Sequence, residues 1–150
     1  MLVFYILSGV IAFFATEFAA WFAHKYIMHG IGWYFHKDHH EREEGFFEKN
    51  DVFFLIFAIP SWLCIMLGWI YLNWYSVGFG FGIAAYGIVY FLIHDVLIHR
   101  RFRWFDKVNT PYIKGIRMAH KVHHKNQGKD GGCCFSLLVV SKKYFKTAVR

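Results

Sequence analysis

The sequence predicts an all-α fold, a polytopic membrane helix bundle with three to four membrane helices. Hydrophobic residues make up 57% of the 150 residues and aromatic residues 22%, more than a soluble chain of this size normally contains. Long apolar runs alternate with polar segments, and all ten histidines fall in two sets with matching spacing. We expect one integral-membrane domain over residues 1–150.

The first apolar run extends from Leu2 to Phe22. As a helix it would be about 31 Å long, which matches the hydrocarbon core of a bilayer. It lacks a basic leading segment and a small-residue cleavage site, so we expect a retained membrane helix and not a signal peptide. Glu17 should point into the bundle, either as a packing residue or as a partner of the histidines that follow.

The second apolar run extends from Val52 to about Leu72, and Pro60 within it predicts a kinked membrane helix. Residues 73–76 carry no charge and include two aromatic side chains. They predict a short turn at the membrane interface.

A third crossing is expected to begin at Val77. Gly78 and Gly82 have G-x-x-x-G spacing, which favours close packing between helices. The small side chains of Gly82 and Ala85 have an alternative role, which is to leave a slot for a flat ring. Close packing between helices is the more common role of such residues.

Beyond Arg100 the chain is basic and amphipathic. Thr110 and Pro111 predict the start of a helix that reaches about Lys125. The glycines that should end it are Gly128, Gly131 and Gly132. The apolar stretch 133–140 is too short to span a bilayer and should be a buried or interfacial segment that lies against the bundle. Three cysteines give no disulfide framework, so Cys64, Cys133 and Cys134 are expected to be reduced.

The basic residues indicate the orientation. Of 17 Lys and Arg residues, none lies in 1–24 or 50–99, and most follow residue 99. A basic tail can indicate nucleic-acid binding, but the positive-inside rule explains this distribution, so we expect no nucleic acid and a multi-pass protein of the cell (inner) membrane. Two crossings separate the histidine sets, which places both sets on one side, the cytoplasmic side.

Each histidine set contains an H-x-x-x-x-H pair and an H-x-x-H-H triplet. The triplets fit one helix face, since their members fall within roughly 100° of arc. The pairs do not, because five residues rotate a side chain by about 140° on an α-helix. Each pair therefore serves two metals or lies on a helix that breaks or bulges. The ten candidate metal ligands are His24, His29, His36, His39, His40, His94, His99, His120, His123 and His124.

Ten imidazoles can supply five ligands to each of two metals and leave an open position on each, as oxygen activation requires. A structural zinc site would have four protein ligands and no open position, usually with thiolates at C-x-x-C spacing. That spacing is absent from the sequence. Two non-haem iron ions, with O2 as co-substrate, suit this inventory better. No dinucleotide or iron–sulfur motif is present, so we expect a separate electron donor such as an acidic ferredoxin.

Several stretches resemble the bacterial β-carotene hydroxylases that form zeaxanthin. They occur in family order: A-H-K-Y-I-M-H-G at 23–30, H-x-x-H-H-E at 36–41, F-E-x-N-D at 47–51, H-D-x-L-x-H at 94–99 and M-A-H-K-V-H-H at 118–124. The resemblance implies a di-iron monooxygenase that hydroxylates C3 of the β-ionone ring of β-carotene, with all ten histidines in the family's histidine boxes. The substrate would reach the site from the lipid bilayer.

Three other interpretations remain open at this point. A carotenoid ketolase shares this metal architecture, as does a fatty acid or sterol hydroxylase or desaturase, and only their products separate them. A histidine-rich membrane metal transporter is the alternative from another class. It should place ligands along a path through the bilayer, whereas these histidines cluster at the ends of apolar runs.

Overall fold

The computed structural model describes residues 1–41, 45–105, 107–130 and 133–148, with the backbone alone for 146–148. Within these ranges the chain is helical, with turns and irregular segments and no strand. The prediction of an all-α fold is confirmed. The chain divides into two compact units, residues 1–19 with 51–89 and residues 20–50 with 90–150. That residues 1–150 form one domain stays a prediction.

Among the described residues, three helical stretches are long and apolar enough to cross a membrane: Leu2–Ile31, Lys49–Ile70 and Trp74–Ile98. Large apolar side chains on them are exposed, for example Phe14 at 65% and Trp62 at 59%. Water would disfavour so much exposed apolar surface, whereas lipid tails would cover it. The chain is therefore a multi-pass membrane protein, and its three spans agree with the predicted three to four.

In the first unit, α1 (Leu2–Phe22) packs closely against α4 (Trp74–Phe91) through glycines. A Cβ atom at Gly78 would collide with the carbonyl oxygen of Tyr5, and one at Gly82 with that of Gly9. The two backbones approach so closely because these positions carry no side chain. The predicted packing role of the G-x-x-x-G pair is confirmed.

Helix α3 (Leu55–Ile70) contains Pro60 and packs on the other side of α4. The Ser61 hydroxyl donates a hydrogen bond to the Gly80 carbonyl at 2.8 Å. Hydrogen bonds of this kind satisfy polar groups between helices where lipid offers no partner.

The turn between α3 and α4 is shorter than the sequence predicted. Helix α4 begins at Trp74 and not at Val77, because the Asn73 side chain accepts a hydrogen bond from the Ser76 amide at 3.2 Å. An asparagine in this position caps the start of a helix. Its side-chain oxygen accepts a hydrogen bond from an amide that has no carbonyl partner within the helix. The third crossing therefore includes residues 74–76, which we had assigned to the turn.

Glu17 points into the bundle, as expected, and is 7% exposed. The Tyr86 hydroxyl donates a hydrogen bond to its carboxyl group at 2.6 Å, linking α1 to α4. This contact supplies part of the polar pairing that an intramembrane carboxyl group needs.

The second unit holds every histidine. A π-helix (Ala23–Ile31) leads into α2 (Trp33–His40), and a second π-helix (Leu92–Ile98) follows α4. Helix α5 (Pro111–Lys125) starts at Thr110, whose side chain accepts from the Ile113 amide, so the predicted helix is confirmed. Of the three glycines expected to end it, Gly131 and Gly132 lie outside the described residues.

A short helix, α6 (Lys142–Ala148), lies against α5 and was not predicted. The rings of Tyr112 and Phe145 stack at 5.7 Å, and Phe145 fills the space beside Gly115. The segment before α6 is irregular and buries Phe135 and Leu137, in agreement with the expectation of a buried segment. The three cysteines are free, as predicted.

Candidate metal centre

Two π-helices resolve the difficulty posed by the H-x-x-x-x-H pairs. In a π-helix each turn is closed by an i→i+5 hydrogen bond and holds more residues than an α-helical turn, so side chains five residues apart are rotated much less than on an α-helix. Such bonds join the Gly32 amide to the Ile27 carbonyl at 2.7 Å and the His99 amide to the His94 carbonyl at 2.9 Å. The first π-helix then breaks at Gly30, with φ −122° and ψ −117°. Of the two predicted alternatives, the bulged helix is confirmed.

Nine of the ten histidines form two groups in which the candidate ligand nitrogens all lie within 4.8 Å of one another. The first group is His24, His29, His36, His40 and His123; the second is His39, His99, His120 and His124. The groups are adjacent, since the rings of His40 and His124 stack at 4.5 Å. Each group combines histidines from the N-terminal and the C-terminal set.

Four of the five Nδ1 atoms of the first group face oxygen atoms. Backbone carbonyl oxygens accept from three of them, and a carbonyl cannot donate, so in these rings the proton lies on Nδ1. The pairs are His24 with Phe135 at 3.0 Å, His29 with Gln127 at 2.7 Å and His123 with Cys133 at 3.0 Å. The neutral rings consequently turn an unprotonated Nε2 toward the middle of the group.

Nε2 atoms of the first group approach one another closely, and those of His29 and His123 have no proton to share. The distance from His29 to His123 is 3.2 Å, as is that from His29 to His36, and that from His36 to His40 is 3.1 Å. Two lone pairs at such a distance repel each other unless a cation lies between them. Two nitrogens bound at right angles to one metal at ~2.1 Å would be separated by about 3.0 Å. The spacing of the first group therefore fits a metal ion.

The second group has the same character. Nε2 of His120 lies 2.7 Å from Nε2 of His99 and 2.7 Å from Nε2 of His124. His39 turns its Nδ1 to the Glu48 carboxylate at 2.8 Å, and its buried Nε2 has no hydrogen-bond partner among the described residues. A buried nitrogen with no partner is costly for a protein, and a metal ion would satisfy it.

Burial keeps these imidazoles neutral, which metal binding requires. It lowers the pKa of His36 to about 3 and that of His40 to about 2, and neighbouring imidazoles contribute to both shifts. The pKa of His124 is lowered to about 4, again mainly by burial. At neutral pH the groups therefore present free lone pairs and not positive charge.

The comparisons with known proteins agree with this geometry. The chain matches the fatty acid hydroxylase family over residues 9–147. It is 43% identical to the β-carotene hydroxylase of Pantoea ananas over 122 residues, which are 81% of this chain and 69% of that protein. With the β-carotene hydroxylase of Pseudescherichia vulneris it shares 37% identity over 135 residues, 89% of this chain and 75% of the relative.

The chain belongs to the fatty acid hydroxylase family. As a member it is an oxidoreductase, and together with the histidine groups this membership indicates a metal site. No solved structure matches the chain significantly.

The structure of this hydroxylase corrects one expectation about the triplets. We expected the three histidines of each triplet to point at one place, but each triplet divides between the groups. His36 and His40, four residues apart, lie in the first group, whereas His39 lies in the second. On α5, His120 and His124 lie in the second group and His123 in the first. Residues four apart share a face of an α-helix. The middle histidine of each triplet lies three residues after the first, so its side chain is rotated by about 60° from that of the first.

His94 is the one histidine outside both groups. Its ring lies beside the second group, 4.6 Å from the ring of His99 and 4.8 Å from that of His39. Its Nδ1 lies 3.4 Å from the Asp95 carboxylate. That the second metal takes His94 as its fifth ligand stays a prediction, as does the ligand role of the other nine.

Sequence reasoning missed the oxygen atoms that orient the histidines of the hydroxylase. Glu48 and Asn50 lie in the F-E-x-N-D stretch, and the Asn50 side-chain oxygen accepts from Nδ1 of His36 at 2.7 Å. The stretch itself was visible in the sequence, although its contacts were not. Gln127, Cys133 and Phe135 contribute only backbone carbonyls, which every residue has, so nothing in the sequence could have identified them.

Replacing Asn50 with alanine should weaken metal binding by the hydroxylase. Without the Asn50 oxygen, the His36 ring loses the acceptor that fixes its orientation, and changes of this kind lower metal affinity by about 10–100-fold. Titration of the metal-depleted protein in detergent with Fe²⁺ measures the change. Lys49→Ala, an exposed neighbouring position, is the control and should retain full affinity. Equal affinity in the wild type and Asn50→Ala would show that Asn50 does not support the site.

Proposed function

We propose that this hydroxylase inserts an oxygen atom at C3 of the β-ionone ring of β-carotene, forming β-cryptoxanthin and then zeaxanthin. The observation that carries the proposal is the convergence of nine histidines into two adjacent groups. The similarity to two β-carotene hydroxylases, which covers more than two thirds of each relative, supports it. The metals are two non-haem iron ions, with O2 as the co-substrate.

The histidines hold the ions, and the surrounding side chains keep water out. Bound iron would supply the open coordination positions at which O2 is activated toward a C–H bond, and would pass on the electrons that it receives. The Phe135 ring covers the first group, with its centroid 5.1 Å from the ring of His29 and 5.2 Å from that of His123. Trp33 packs on the same group from α2, 5.4 Å from the ring of His40. Together these rings supply an apolar wall.

The reaction balances with two external electrons and two protons. One oxygen atom of O2 enters the C–H bond to give the alcohol, and the other leaves as water. The electrons come from a separate protein, such as an acidic ferredoxin, because the sequence contains no flavin or iron–sulfur motif.

The substrate reaches the centre through the bilayer and the centre faces the cytoplasm. A long polyene dissolves in lipid and not in water, so the ring to be oxidised would arrive at interfacial depth. The orientation follows from the basic residues beyond residue 99, which the positive-inside rule assigns to the cytoplasm.

Expression in a host that accumulates β-carotene tests the proposed reaction. We expect zeaxanthin and β-cryptoxanthin to replace part of the β-carotene, as measured by chromatography with mass spectrometry. A ketone at C4 would identify a ketolase. Unchanged pigment with altered lipids would indicate a fatty acid or sterol enzyme, and unchanged pigment and lipids would contradict an oxygenase function under these conditions. The His36→Ala protein is the matched negative control.

Reconstitution with purified electron donors tests the partner. The exposed basic residues of the second unit include Lys114, Lys121 and Lys125 on α5, and they would attract an acidic ferredoxin. Turnover driven by the ferredoxin should therefore fall as salt rises, because salt screens exposed charges. Turnover that does not change with salt would show that these charges serve topology and lipid contact instead.

A further inference from the structure

The oxygen atoms that face the histidine Nδ1 atoms differ in charge between the two groups. In the first group all four acceptors are neutral. They are the backbone carbonyls of Phe135, Gln127 and Cys133, which face His24, His29 and His123, and the Asn50 side-chain amide, which faces His36. No carboxylate takes part in these four contacts.

In the second group a carboxylate faces one of the four histidines. Nδ1 of His39 lies 2.8 Å from Oε2 of Glu48, and the side chains are 2% and 25% exposed. His94, beside this group, approaches the Asp95 carboxylate at 3.4 Å. Asp95 also pairs with the Arg101 guanidinium at 2.8 Å, which offsets its charge. Glu48 is the closer of the two carboxylates to its imidazole, and His39 belongs to the second group.

A negative charge on the far nitrogen of an imidazole changes how the ring binds a metal. The carboxylate draws the Nδ1 proton toward itself and makes Nε2 a stronger electron donor. A stronger donor stabilises ferric iron more than ferrous iron, which lowers the reduction potential of the metal. The effect is large where the pair is shielded from water, as the buried His39 side chain is.

We propose that Glu48 is a positioning residue that makes the two metals electronically unequal. Iron bound by the second group would have the lower reduction potential, and iron bound by the first group, whose histidines face neutral acceptors, would have the higher. The first group would therefore be the more easily reduced of the two sites. This inference rests on the proposed pair of irons.

Two isosteric substitutions test the inference in opposite directions. Glu48→Gln removes the charge beside the second group and keeps the shape of the side chain; Asn50→Asp places a charge beside the first group. Protein enriched in ⁵⁷Fe is reduced stepwise in detergent, and Mössbauer spectra at each potential give a midpoint for each iron. Glu41→Gln removes a charge from an exposed residue that pairs with Lys37 and is the matched control.

We expect two separate midpoint potentials in the wild type. Glu48→Gln should raise the lower potential and leave the higher one unchanged, whereas Asn50→Asp should lower the higher one. Glu41→Gln should change neither. If the Glu48→Gln protein does not retain iron, the test rests on Asn50→Asp alone. A lowered higher potential in that protein supports the inference, and an unchanged one contradicts it.

Iron-loaded wild type in which both irons are reduced at one potential would overturn the inference. A Glu48→Gln protein with unchanged potentials would do the same. A different result would contradict the proposed function, namely that the purified protein binds no iron or forms no hydroxylated pigment.

Discussion

Replacing His36 or His123 with alanine is expected to abolish product formation. Both side chains are almost fully buried, at 1% and 0% exposure, and Nε2 of each lies 3.2 Å from Nε2 of His29. Each substitution removes one nitrogen from the first group without changing an apolar span, so the protein should still insert into the membrane. Pigment analysis in the β-carotene host, with an immunoblot of the membrane fraction, measures both effects.

Lys37→Ala is the matched control for these variants. Lys37 is exposed and directly follows His36 on α2. The Lys37→Ala protein should form product at the wild-type level. Full activity in His36→Ala or His123→Ala would remove that histidine from the site.

Replacing Gly82 with leucine is expected to lower the amount of folded protein in the membrane sharply. A Cβ atom there would collide with the Gly9 carbonyl and lie 2.8 Å from the Cβ of Ala12, so α1 and α4 would have to separate. Overpacking of this kind costs about 1–3 kcal/mol or more. Membrane content and the temperature at which the detergent-solubilised protein aggregates measure the loss.

Ala85→Phe provides the comparison on the same helix. Ala85 is exposed and lines an apolar cleft of about 540 Å³ between α1 and α4, so a larger side chain there meets space and not backbone. The Ala85→Phe protein should reach the wild-type level in the membrane. If Gly82→Leu accumulates as well as Ala85→Phe, the glycine contact does not hold these helices together.

Much of the helical framework could be predicted because the sequence signals are local. The run Leu2–Phe22 was predicted with the bounds that α1 has, since apolar composition and length alone define a crossing. The start of α5 followed from Thr110 and Pro111, which act within one turn. The start of α4 was missed by three residues because a side-chain cap at Asn73 decides it.

The histidine residues could be selected from their spacing, but their division between the groups could not. The spacing excluded a regular α-helix for His24 and His29 without deciding between a bulge and separate metals. A π-helix is specified by tertiary contacts and not by local propensity. The division of each triplet likewise depends on how α2 and α5 are rotated against each other within the second unit, which no residue type encodes.

The groups that accept hydrogen bonds from the histidines could not be predicted either. Glu48 and Asn50 stood in a recognisable stretch, yet their partners, His39 and His36, lie 9 and 14 residues away. The carbonyl of Phe135 reaches His24 across 111 residues of sequence. Contacts of backbone atoms over such separations arise from the fold alone.

The metal content of the purified protein tests the central claim most directly, namely that two histidine groups hold two irons. Elemental analysis of the wild type should give close to two irons per chain. His29→Ala, which changes only the first group, and His124→Ala, which changes only the second, should each retain roughly one. A wild type with a single metal, or with zinc in place of iron, would contradict the account, as would equal iron content in all three proteins.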